Sequence, residues 1–141
     1  MLASNDYLKF FTFMDLKQLL YDYLKQHDIE AEITPFGVEF ENDDLTFQLF
    51  HEESDDQFFQ LILPRIYEVD ENNYSLVTEA ADQTNARIKV VKTYVFDNQW
   101  VNVAFEILAD YSPELSDIVP RALSLMREAR ITFYKNIENL Q

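Results

Sequence analysis

The chain has 141 residues, with 11 Lys and Arg, 26 Asp and Glu and no Cys. That length suits one domain, and the missing cysteine excludes disulfides and thiolate metal sites. A formal charge of −15 repels phosphate backbones and anionic headgroups, which argues against nucleic acid and bilayers as partners.

The first predicted element is a helix over 13–27. Thr12-Phe13-Met14-Asp15 reads as a capping box, and Leu16, Leu19, Leu20, Tyr23 and Leu24 follow at helical spacing. Residues 1–11 contain Tyr7, Leu8, Phe10 and Phe11 and are expected to pack as an N-terminal extension. Period-two alternation then marks strands. Ile29, Ala31 and Ile33 interleave with acids, and after a Pro35-Phe36-Gly37 turn so do Phe36, Val38 and Phe40. Asn42-Asp43-Asp44 turns the chain into Leu45, Phe47 and Leu49, and Glu52 to Asp56 leads into Phe59, Leu61 and Leu63. The four strands make an antiparallel meander with acid on its solvent face. Phe50, Phe58 and Ile62 break the pattern, because their parity places them on the face that should be wet. The N-terminal segment, a second subunit or a ligand protein is expected to cover them.

Asp70 to Asn73 is a polar stretch that introduces a helix over 74–86, with Leu76, Val77, Ala80, Ala81 and Thr84 on its packed side. Ile88–Phe96 and Trp100–Leu108 form a hairpin across Asp97-Asn98-Gln99. Ser112-Pro113-Glu114 opens the last element, a short turn and then a helix over 117–139. Starting there places Pro120 in the first turn, where it costs no hydrogen bond. The apolar stripe of that helix is Val119, Leu123, Met126, Phe133, Ile137 and Leu140. The predicted class is α+β, an antiparallel sheet with helices in the order α-β-β-β-β-α-β-β-α, in a single domain over 1–141.

The residues for catalysis do not gather. His27 reads as a cation at a helix C-terminus and His51 as a surface residue. One glycine cannot build a phosphate loop or a nucleophile elbow, and the acidic runs lack the spacing of a calcium loop. No metal, cofactor or catalytic residue is expected. Arg121, Arg127, Arg130 and Lys135 lie on the polar side of the last helix, where they are solvated or dock on acid.

Element order, size and acidity together resemble the fold of type III secretion chaperones and of the related YbjN-like family of proposed bacterial sensory transduction regulators. The local likeness lies in residues 74–137: Ala80-Ala81-Asp82-Gln83-Thr84-Asn85 near the end of the middle helix, Ile88-Lys89-Val90-Val91-Lys92 opening the hairpin, the Asp97-Asn98 turn, and a long helix carrying Phe133. The resemblance implies a non-enzymatic, commonly dimeric protein that engages protein segments.

The reading that follows is a protein-binding module, chaperone-like or regulatory. It would be cytoplasmic, since the N-terminal residues lack a secretory pattern and no apolar run reaches the length of a membrane span. Its partner would be a basic or amphipathic protein segment, and a homodimer is expected. Candidate contacts are Phe50, Phe58, Ile62, Trp100 and Leu108, each with ordinary core as the competing explanation. The alternatives are a small-molecule sensor or enzyme with its pocket between sheet and helices, and an acidic mimic of nucleic acid.

Overall fold

The structure, a computed structural model, describes residues 15–110 and 113–141. The Thr12 capping box, the N-terminal extension and the Ser112 cap lie outside those residues. The described elements are α1 (Leu16–Gln26), β1 (Ala31–Thr34), β2 (Gly37–Asn42), β3 (Leu45–Phe50), β4 (Phe58–Glu68), α2 (Tyr74–Arg87), β5 (Val91–Phe96), β6 (Trp100–Leu108) and α3 (Leu115–Leu140). Their order is the expected one. The strands form one antiparallel six-stranded sheet, β1-β2-β3-β4-β6-β5.

One face of that sheet carries the core. Val38 and Phe40, Phe47 and Leu49, Phe59, Leu61 and Leu63, and Val101, Val103 and Phe105 are all buried. All three helices supply the other half: Leu16, Leu20 and Leu24 from α1, Val77 and Ala80 from α2, and Val119, Met126 and Phe133 from α3. Each large side chain buried in full contributes about 1.5–3 kcal/mol, against at most about 1 for an exposed ion pair. Packing of helices on a single face therefore holds the fold.

Capping and turns follow local chemistry. Asp15 caps α1, its carboxylate accepting from the Lys17 amide at 2.9 Å. Asp43-Asp44 and Asp97-Asn98 all take positive φ, the left-handed pair that a tight hairpin turn demands and that Asp and Asn tolerate best. Asn85 of α2 brackets one residue of edge strand β5: its Oδ1 accepts from the Thr93 amide at 2.7 Å and its Nδ2 donates to the Thr93 carbonyl at 2.9 Å. That side chain closes part of a sheet edge that would otherwise be open to pairing.

Several boundaries differ from the sequence reading. α3 begins at Leu115, so Pro120 is its sixth residue and sits inside the helix instead of in the first turn. β5 begins at Val91 because Val90 turns the chain with a φ of 74°, the Val91 amide bonding back to Lys89 O at 2.8 Å. Phe36 belongs to the turn and not to a strand, and it stands exposed. Ile33 is also exposed, on the short edge strand β1. β4 runs on past Leu63 to Glu68, the longest strand of the sheet.

Candidate functional site

The second face of the sheet has none of the described helices on it. The parity that sends Phe59, Leu61 and Leu63 inward sends Phe58, Gln60 and Ile62 outward, and on β6 it sends Trp100, Asn102, Ala104, Glu106 and Leu108 outward. Outward on β5 are Lys92, Tyr94 and Phe96.

This face is also split. β3 pairs with β2 along all six of its residues, but with β4 only over Gln48, Leu49 and Phe50. Beyond that point β4 bulges. Leu63 pairs with Val103 and Tyr67 with Val101, so Pro64, Arg65 and Ile66 lie opposite Asn102 alone. Proline has no ladder donor, which makes the bulge tolerable there. Arg65 takes a φ of 57°, and its amide is caught by the Asn102 side-chain oxygen at 2.9 Å.

The gap between β3 and the bulge exposes α3 beneath. Arg127 of α3 reaches Asp43 on one bank at 3.4 Å, which is the docking of basic helix on acidic turn that the sequence allowed. The Tyr134 hydroxyl donates to Ile66 O on the other bank at 2.6 Å. Arg130 lies between them along the helix, its guanidinium over the Tyr134 ring at 4.9 Å. The result is a groove of about 870 Å³ that runs from the outer sheet face down to α3. Arg65 lies on its upper wall over the ring of Trp100, at 5.8 Å. Two cations thus face one groove on aromatic supports.

Polar side chains organise the rest. Glu106 accepts from Gln60 Nε2 at 2.6 Å and pairs with Lys92 at the same distance, and Lys92 in turn lies 5.3 Å from the Tyr94 ring centre. Carboxylates stand at the rim: Asp44 and Asp97 on exposed hairpin tips, Glu39 on β2. Glu39 faces Glu32 directly across β1–β2, a like-charge pair that weakens that edge.

The five residues named from sequence all lie on this face. Phe50, Ile62 and Trp100 line the groove. Phe58 and Leu108 pair with each other at the opposite end of β4 and β6, outside it. Leu108 is 82% exposed and Phe50 37%, whereas Ile62 is buried at 8%. Sequence reasoning did not pick out Arg65, Asn102, Arg130 or Tyr134 as parts of one site. A signal for the first was readable: Pro64 stands inside a strand pattern, and the apolar phase jumps from Leu63 to Ile66.

His51 is not the surface residue expected. Its side chain is only 3% exposed, with Nε2 3.6 Å from Asp15 Oδ1 and 4.0 Å from Asp56 Oδ1. It lies between the α1 cap and the loop that joins β3 to β4. Among the described residues no group of His, Cys, Asp and Glu is placed to hold a metal, and no helix is long and apolar enough to cross a membrane.

Neither a family model nor a curated protein matches the chain. Among solved structures it is similar to the crystal structure of YbjN from E. coli, described as a proposed transcription regulator. The two share 10% sequence identity with a TM-score of 0.63, over 84% of this chain and 88% of that one. The likeness is one of fold.

Proposed function

We propose that this chain is a non-enzymatic protein-binding module, chaperone-like or regulatory, that receives a basic or amphipathic polypeptide segment on the sheet face that carries none of the described helices and works in the cytoplasm as a homodimer. What supports it is the one-sidedness of the sheet. All three described helices pack on the core face, while Phe50, Phe96 and Leu108 stand exposed on the other. Apolar side chains left in water across several strands mark a surface that another molecule covers. The acids Glu39, Glu41 and Asp44 surround one side of it and would steer a basic segment toward it.

The test uses Leu108, whose exposure makes it safe for folding. In pull-downs from the native lysate, Leu108→Asp and Phe58→Asp should lose proteins that the unaltered chain retains, with circular dichroism unchanged. Retention of every captured protein by both variants would refute this reading. Light scattering should return twice the 16.8 kDa chain mass, and a monomer at micromolar concentration would remove the dimer.

A second reading, a small-molecule sensor with its pocket between sheet and helices, is favoured by one observation: the groove continues through the sheet to Arg130 and Tyr134 of α3.

A further inference from the structure

We propose that the seam between β3 and the β4 bulge binds a small organic monoanion with a flat apolar body, such as an aryl carboxylate. The site rests on the sensor reading for its location and stands independently of polypeptide binding at Phe58 and Leu108.

Three observations carry it. First, the seam is a built cavity. Its volume, about 870 Å³, falls in the range of small-ligand pockets, and it passes between two strands where a continuous ladder would have closed it.

Second, its cations are positioned and available. Arg130 is half-buried and Arg65 exposed, each stacked on an aromatic ring. In a chain with 26 carboxylates, neither makes an ion pair with any described residue, whereas neighbouring Arg127 and Lys92 do. The Tyr134 hydroxyl and the Asn102 oxygen are both committed to the bulge backbone, at Ile66 O and the Arg65 amide, so they hold the walls in place. Two guanidinium forks at one groove match the planar geometry of a carboxylate.

Third, the body of a ligand has a place to lie. Trp100, Tyr94, Phe96 and Ile62 flank the same space. Charge sets the limit on the head group. Asp44 and Asp97 at the rim are exposed to solvent and screened, while Arg130 lies at the bottom where water screens less. With Glu39 they outnumber the two arginines, which selects a single negative charge over a dianion such as a phosphate monoester.

Trp100 is the only tryptophan and lines the groove, so its emission reports occupancy. The probes are 1-anilinonaphthalene-8-sulfonate and N-phenyl-1-naphthylamine, which share an aromatic body and differ by the sulfonate. The anionic probe should quench Trp100 saturably at one equivalent and bind at least about tenfold more tightly than the neutral one. Arg130→Gln and Arg65→Gln should each weaken the anion about tenfold or more and leave the neutral probe within twofold. Arg130→Lys, which keeps the charge but loses the planar fork, should bind the anion more weakly than the unaltered chain and more tightly than Arg130→Gln, and 2-naphthoate should displace the anion where phenyl phosphate does not. Equal affinity for the two probes, or anion binding unmoved by both Gln variants at an unchanged urea midpoint, overturns the site. If Arg130→Gln unfolds the chain, Arg65→Gln and Arg130→Lys decide the matter alone. Persistence of anion binding in Leu108→Asp separates this site from the polypeptide surface.

Discussion

Single residues at the seams of this fold do work that their types alone do not announce. Gly37 is the clearest. It is the only glycine, and it opens β2 with a φ of 158° where a Cβ would fall 1.9 Å from the Leu49 carbonyl oxygen of β3. No side chain rotates out of that contact, since the obstacle is backbone. Gly37→Ala must therefore push β2 and β3 apart. The expected loss is about 2 kcal/mol or more in urea unfolding, and a loss below about 0.5 would show that the strands yield cheaply. His51 makes the converse point. Its sequence neighbours Glu52 and Glu53 suggest solvent, yet the fold buries its ring against the α1 cap. No local pattern carries that contact, because Asp15 and His51 meet only once the sheet has formed.

At the scale of elements, α3 holds the conflict between local preference and tertiary demand. Pro120 at its sixth position deprives Ser116 O of its helical donor and crowds the preceding turn. The helix persists because Val119, Leu123, Met126, Phe133 and Ile137 are buried along the same stripe. Those positions were legible from the 3.6-residue period; the two-residue earlier start was not, since the Ser112-Pro113-Glu114 signal was assigned to a separate turn and the helix starts after Glu114, whose side chain makes no capping hydrogen bond, with Leu115 joining the core. Pro120 is exposed, so Pro120→Ala should restore the bond without a packing cost. A gain of about 1–2 kcal/mol is expected after the greater freedom of the unfolded chain is deducted. A destabilised variant would mean that the proline shapes the helix start. α3 also shows how a packed helix can serve a surface site. Its Arg130 and Tyr134 line the seam from below, Tyr134 reaching Ile66 O, while Arg127 one turn earlier pairs with Asp43 beside it.

For the whole molecule, charge is the dominant long-range term. The excess of 15 negative charges sits in residues 1–86, which include β1–β4 and the directly opposed Glu32 and Glu39. Self-repulsion of this size favours the expanded chain, and salt screens it as the Debye length falls from roughly 30 Å at 10 mM to about 8 Å at 150 mM. The melting temperature should rise between those concentrations of sodium chloride. A flat or falling curve would show that local pairs such as Lys92 with Glu106, which salt weakens, outweigh the global field. Acid also has a bearing on the sheet face that carries none of the described helices. It discourages face-to-face association between copies except where opposite charge is supplied, while the apolar side chains across β3, β4 and β6 invite cover.

Periodicity in the chain determined which stretches become helix or strand and which side of each is buried, because both depend on residues within a few positions of one another. Phe47, Leu49, Phe59 and Leu61 were inward by alternation before any neighbour was known, and the surplus at Phe50, Phe58 and Ile62 was visible by the same rule. Only the tertiary structure decided where β3 stops pairing with β4, which opens the seam and brings Arg65, Trp100, Arg130 and Tyr134 to one groove. Strand register is a contact between distant segments, set by Pro64 and the Asn102 side chain across the sheet, and no local pattern encodes it.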